Sequence, residues 1–248
     1  MTISDDLAFG PAVEVLNPDG ASDVVLLCEH ASSHIPPGYN GLGVAAADLQ
    51  RHIAWDIGAA EVTRHLSALL DAPAYLATSS RLLIDLNRPL DSASSIVVHS
   101  EVTAIPGNVD LDPVERQRRA AEIFTPFHGA VNACLDARQS QGRAVRLVSI
   151  HSFTPVYLGV ARIWHAGVLF EQAKDFGQAM VERLQEPGLN VGANVPYQSG
   201  RTEDYAVPIH GDDRGIPAVL IEIRQDLIGE TAGAHAWAER LARALRLS

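Results

Sequence analysis

Lysine is nearly missing from this chain: Lys174 is the only one in 248 residues, so the 19 basic residues are almost all arginine. Acidic residues number 30, which sets the formal net charge at -11. That balance excludes the basic patches with which nucleic-acid binders neutralise phosphate. It also makes each arginine a candidate anion clamp rather than a general solubilising charge. Cysteine is scarce as well. Cys28 and Cys134 cannot build a disulfide framework, and reduced thiols point to a cytoplasmic setting. The opening stretch MTISDDLAFGP lacks a basic region followed by an apolar one, so no signal peptide is expected. No run approaches the roughly 18 apolar residues of a membrane span. There is no P-loop, dinucleotide fingerprint or GxSxG nucleophile elbow, and no fixed-period repeat or low-complexity stretch.

What is present is enough to build a core: 47% of residues are hydrophobic and 20% charged, which excludes a disordered chain. No shift in composition divides it, so residues 1–248 read as a single domain. Short apolar runs of buried-strand type lie at Val24 to Cys28, Pro73 to Ala77, Leu82 to Ile84, Arg146 to Ile150, Ile163 to Leu169 and Ala218 to Ile223. Between them, helical spacing predicts helices over Ala46 to Leu70, Glu171 to Leu184 and Ala234 to Leu247. Asp112-Pro113 pairs an N-cap with proline at the first helical position and opens a helix reaching about Gln141, interrupted at Pro126. Strands alternating with helices predict an α/β fold, a mixed and largely parallel sheet flanked by helices.

Two of these strands run into histidine, His30 in LLCEHAS and His151 in VSIHSFTP. Histidines at matching strand ends can supply two of the three ligands of a hydrolytic zinc site, which keeps its fourth position for water. Either histidine can instead bond only within its loop. The third ligand should be acidic or another histidine. Asp56, between Trp55 and Ile57 in HIAWDIGA, needs a partner if buried, either the metal or a salt bridge. His52, one turn earlier, can ligate or support a ligand. Glu29 adjoins His30, but successive strand residues face opposite ways, so it ranks lower as a ligand.

The segment SSRLLIDLNRP gathers Arg81, Asp85, Asn87 and Arg88 around an apolar run. An arginine fork with an asparagine amide makes a carboxylate clamp, Asp85 can orient a guanidinium, and Arg81 can stabilise an oxyanion. Glu222 interrupts the apolar AVLIEI. A buried carboxylate costs several kcal/mol unless paired, and near a strand end it is a natural general base. Arg224, two residues on, can pair with it instead. His210 and Arg214 in PIHGDDRG, and Asn194, Pro196 and Tyr197 in NVPYQSG, can rim the site or merely shape turns.

Taken in order, CEHASSHIPPGY, HIAWDIGA, SRLLIDLNRP, IHSFTP, NVPY, HGDDRGIP and IEIRQDL resemble the N-formylglutamate amidohydrolase family. The resemblance runs from about Val24 to the final helix. It implies a fold similar to the zinc carboxypeptidases and aspartoacylase, a bound Zn2+, and hydrolysis of N-formyl-L-glutamate to formate and L-glutamate, a late step of histidine degradation. It implies His30 and His151 as metal ligands, Glu222 as the catalytic carboxylate, Asn87 and Arg88 as the substrate carboxylate clamp, and Arg81 as the group polarising the scissile carbonyl. The glutamate that those enzymes carry three positions after the first histidine is Ser33 here, and Asp56 is the substitute its own segment offers. Arg224 or His210 would then meet the side-chain carboxylate of a small acidic N-acyl amino acid, with no nucleic-acid or membrane partner. The alternatives are another N-acyl, carbamoyl or peptide substrate, or a non-catalytic binder of an acidic metabolite on the same fold.

Overall fold

The computed structural model describes residues 8–198 and 200–246. Its strands, in chain order, are β1 (Val13–Leu16), β2 (Val24–Cys28), β3 (Ala74–Ala77), β4 (His99–Ser100), β5 (Thr103–Ala104), β6 (Arg146–Phe153), β7 (Val156–Tyr157), β8 (Val160–Ala161), β9 (Ala166–Leu169), β10 (Val191–Ala193) and β11 (Ala218–Arg224). The helices are α1 (Ala59–Leu70), α2 (Pro113–Arg119), α3 (Thr125–Ser140), α4 (Lys174–Leu184) and α5 (Thr231–Arg246). Seven strands form one sheet in the order β1-β3-β2-β6-β11-β9-β10, while β4-β5 and β7-β8 are separate two-stranded ribbons. Pairing is parallel through β3, β2, β6 and β11, and again between β9 and β10; β1 on β3 and β9 on β11 run antiparallel. The sheet is therefore mixed and largely parallel, as the alternation of apolar runs predicts.

Every residue of β2 is buried, and β6 is buried from Leu147 onward, as expected of strands covered on both faces. On one face, Val62 and Leu66 of α1, Trp237 and Leu241 of α5, and Met180 and Leu184 of α4 close over the sheet. On the other, Phe127, Val131 and Leu135 of α3 pack with Leu82, Leu83 and Ile84. Among the described residues, no helix is long and apolar enough to cross a membrane.

The Asp112 side chain accepts the Val114 N–H and caps α2. The helical path then passes through a π-turn at Ala120–Phe124 before α3, so Pro126 falls where a missing N–H is tolerated. Two expected elements are corrected. The helix expected over Ala46 to Leu70 is confined to α1, because Asp56 donates its backbone N–H to the His30 carbonyl at 2.9 Å and Gly58 turns the chain at φ 82°. The strand expected at Leu82 to Ile84 is a buried turn instead: Leu83 N–H closes on Ser80 O at 3.0 Å, and Asp85 N–H on Ser95 O at 2.7 Å. Both departures carry side chains to the same place, the C-terminal ends of β2, β6 and β11.

Candidate active site

His30 is the second residue past β2, His151 lies two residues before the end of β6, and Glu222 stands beside His151 in the β6–β11 register. Central parallel strands thus deliver all three to one end of the sheet. His151 is inside its strand rather than past its end, because β6 extends to Phe153.

His30, Asp56 and His151 are buried, and one ligand atom from each lies within 4.8 Å of the others. The Asp56 Oδ2 atom is 3.3 Å from His30 Nδ1 and 2.8 Å from His151 Nδ1. The opposite ring nitrogens face other carboxylates: His30 Nε2 meets Asp85 Oδ1 at 2.7 Å, and His151 Nε2 meets Glu29 Oε2 at 3.1 Å. Carboxylates behind imidazoles fix ring orientation and leave both Nδ1 atoms aimed at a shared point. Two imidazoles and a carboxylate with room for a further ligand form a donor set that suits zinc or a similar divalent ion. The residues present therefore fit a metal.

The electrostatics follow from this crowding. Burial pushes the Asp56 carboxyl up, but the charges and hydrogen bonds of His30 and His151 overcome it and hold the group far below the usual carboxylate range. Burial likewise acts against ionised Asp85, and the Arg81 charge, followed by His30, keeps it ionised. Glu29 is held low in spite of burial, chiefly by the His151 hydrogen bond and charge, with Ser149 donating at 2.6 Å. Burial lowers the His151 imidazolium, yet bonds to Asp56 and Glu29 raise it well above its ordinary value. Glu222 behaves differently. Burial pushes it up to about 7, and its Oε2 has no hydrogen-bond partner among the described residues. Such a carboxylate is suited to exchanging a proton near neutral pH.

These groups open on a cavity of about 450 Å3 also lined by Arg81, Asn87, Arg88, Phe153, Tyr157 and Tyr197. Arg81 grips Asp85 Oδ2 through Nε at 3.0 Å and Nη2 at 2.6 Å, and its Nη1 reaches toward Asp56 at 3.5 Å. Arg88 pairs with Asp204 at 3.1 Å and also donates to the Glu203 carbonyl. Asn87 accepts from the Tyr205 and Ala206 N–H groups at 3.1 and 2.9 Å and donates to Asp204 at 3.3 Å. Its amide is therefore largely committed to holding the 204–206 turn beside Arg88. His52 also lines the cavity, 3.4 Å from Glu101 rather than among the metal-facing atoms.

Two expected substrate contacts are corrected. Arg224 does not line the cavity or pair with Glu222; it bonds Asp226 at 2.8 Å, because the chain turns at the end of β11 and brings that carboxylate beside it. His210 is fully buried against His128, Nε2 to Nδ1 at 2.8 Å, because its π-turn packs Tyr205 over both rings. Arg214 reaches Asp136 and Asn132 on α3, and Asn194 accepts from Phe170 N–H, so neither joins the rim, whereas Tyr197 does. Sequence reasoning passed over Asp85 and Glu29 as supports for the two histidines. The pairing of Leu27 with Ser149, carried two residues onward, sets Glu29 beside His151, and only the strand register contains that signal.

A family model described as N-formylglutamate amidohydrolase matches residues 22–229. Among solved structures, the chain is 40% identical to the gene product Atu2144 from Agrobacterium tumefaciens, with a TM-score of 0.92 over 96% of each chain. It is 19% identical to N-formylglutamate amidohydrolase from Ralstonia eutropha JMP134, with a TM-score of 0.68 over 96% of this chain and 97% of that one, a likeness of fold. No curated protein matches the sequence.

Proposed function

This chain belongs to the N-formylglutamate amidohydrolase family, and from that premise we propose that it is a metal-dependent hydrolase of the linear amide in a small N-acyl amino acid. N-formyl-L-glutamate is the proposed substrate, with formate and L-glutamate as products. The observation that carries this reading is the convergence of His30 Nδ1, His151 Nδ1 and Asp56 Oδ2 beside a buried Glu222 oxygen that has no partner. A non-catalytic binder has no use for that pairing, because an unpaired buried carboxylate is costly without a proton to exchange.

His30, Asp56 and His151 would hold a divalent ion, Zn2+ by its donor preferences, which when bound supplies Lewis acidity and lowers the pKa of a bound water. Glu222 Oε2 removes a proton from the attacking water as the water oxygen adds to the formyl carbon. It then passes the proton to the amide nitrogen as the C–N bond breaks, so one water is consumed and formate and a free amine leave. Arg81, held by two hydrogen bonds to Asp85 Oδ2, contributes a fixed positive charge to the developing oxyanion. Arg88 offers its fork to the α-carboxylate, with Asn87 fixing the turn next to it. Free Cys28 and Cys134 suit a cytoplasmic enzyme.

The test is formate release from N-formyl-L-glutamate by zinc-loaded protein, beside a chelator-treated control and Glu222→Gln. Chelator-sensitive release that falls at least about 100-fold in the variant, with metal content unchanged, is the expected result. Release unaffected by chelator or by the substitution would refute the mechanism.

A further inference from the structure

With Arg224 and His210 turned away from the cavity, the second carboxylate of the proposed substrate needs another partner. The arginines around the site are mostly answered already: Arg81 by Asp85 and Asp56, Arg88 by Asp204, Arg224 by Asp226, and Arg51 by Asp48 and Glu101. Arg162 is different. It follows β8, and no carboxylate among the described residues lies within ion-pair distance of it. Three rings surround it instead, their centroids 4.7 Å (Tyr157), 4.9 Å (Tyr197) and 5.5 Å (Phe153) from the guanidinium carbon. All three rings line the cavity that holds Glu222 and the metal-facing atoms.

Aromatic faces hold a guanidinium by cation–π attraction but take up none of its N–H donors, which lie in the plane of the group. One donor is spoken for: Arg162 Nη1 donates to the Tyr197 hydroxyl oxygen at 2.8 Å. Because that oxygen accepts from Arg162, the Tyr197 O–H has its hydrogen free, and it meets no acceptor among the described residues. Arg162 itself does not line the cavity, whereas Tyr197 does; the Tyr197 hydroxyl, with the guanidinium charge directly behind its oxygen, is a charge-assisted donor in the cavity wall that favours a carboxylate over a neutral amide. The backbone is held in place as well. Arg162 N–H donates to Pro155 O at 2.8 Å, and Arg224 donates to the Arg162 and Trp164 carbonyls. Arg224 therefore buttresses the segment that carries Arg162 instead of meeting substrate.

Resting on the amidohydrolase reading above, we propose that the Tyr197 hydroxyl and, behind it, Arg162 recognise the anionic group at the end of the substrate side chain. Arg162 is a specificity determinant and takes no part in bond breaking.

The test compares kcat/KM of the zinc-loaded protein for N-formyl-L-glutamate and its near-isosteric N-formyl-L-glutamine, in which one carboxylate oxygen and the charge give way to a donor NH2. One charge-assisted contact corresponds to a preference for glutamate of roughly 10- to 100-fold. In Arg162→Gln the ratio should fall to within about threefold, the loss lying on the glutamate substrate, and Tyr197→Phe should fall between. Arg162→Lys keeps the charge in the ring cage and should retain part of the preference, which preserves the test if Arg162→Gln does not fold. Equal rates in the wild type, or a preference that survives Arg162→Gln, would overturn the proposal while amide hydrolysis stands. Failure to hydrolyse either compound would instead remove the reading on which the proposal rests, and the proposal with it.

Discussion

Acidification should loosen this protein through two buried histidines that are not among the metal-facing residues. His128 Nε2 lies 2.9 Å from the Leu86 carbonyl, which can only accept, so that nitrogen carries hydrogen. His128 Nδ1 is then the acceptor for His210 Nε2–H at 2.8 Å, and His210 Nδ1 has no partner among the described residues. Both rings are neutral in this arrangement. Burial, helped by the His210 charge, drives His128 down to about 3, and burial drives His210 down to about 4. The ordinary value in an unfolded chain is about 6.5. A folded pKa below the unfolded one means that the unfolded state binds the proton first. The stabilisation is complete above about pH 6.5 and drains away as pH falls toward 4 and then 3. By about pH 5 each histidine has given up about 2 kcal/mol. Urea unfolding of chelator-treated wild type and His210→Asn, at about pH 7.5 and about pH 5, isolates the effect. Other groups, including Glu222 with its raised pKa, titrate in both proteins and cancel in the comparison. The variant should lose about 2 kcal/mol less than wild type across this interval, whatever its stability at the upper pH. Parallel losses would refute the buried neutral pair.

Three further outcomes follow from contacts at the site. Asp85→Asn and Glu29→Gln should each weaken zinc binding about 10- to 100-fold in a competition titration with a chromophoric chelator, since each removes the charge behind a metal-facing imidazole. Affinity equal to wild type would mean that these carboxylates hold the rings only for packing. Arg88→Lys should raise KM far more than it lowers kcat, because a point charge replaces a fork at the carboxylate clamp; an unchanged KM would exclude the clamp. Gly167→Ala should lower the melting temperature by several degrees or more, because a Cβ there would lie 1.5 Å from the Val195 carbonyl oxygen, against backbone with little room to yield. Wild-type melting would show that the β9–β10 edge gives way at no cost.

How much of this was legible beforehand depended on the distance over which each signal acts. The apolar runs at Val24 to Cys28 and Ala218 to Ile223 correspond to β2 and β11 nearly residue for residue, since burial on both faces leaves a local trace in composition. Glu222 was conspicuous for the same reason, a carboxylate inside such a run. Edge strands β1 and β10 and the β7–β8 ribbon left no such trace, because half-exposed or short strands alternate too weakly. Leu82 to Ile84 misled because a turn pressed into the core is as apolar as a strand. At the site, His30, Asp56 and His151 were identifiable singly, and the structure brings their ligand atoms together. Arg224 and His210 were assigned by proximity in sequence to functional motifs, whereas their partners, Asp226 and His128, were decided by a turn and by helix packing.

The residues that the sequence reading underrated share a physical character: each acts through another. Asp85 uses one oxygen to orient His30 and the other to hold Arg81 in two hydrogen bonds. Asp204 likewise takes both Asn87 and Arg88. The short stretch from Arg81 to Arg88 therefore ties the His30 imidazole, the Arg81 guanidinium proposed to face the oxyanion, and the proposed Asn87–Arg88 clamp into one hydrogen-bonded unit. Groups coupled in this way should not respond additively to substitution. Removing Asp85 frees Arg81 to swing and releases the His30 ring at once, so Asp85→Asn combined with Arg81→Gln should cost activity well short of the product of the two single losses. Multiplicative losses would mean that Arg81 and the metal-facing histidine work independently, and that their sharing of one carboxylate is an accident of packing.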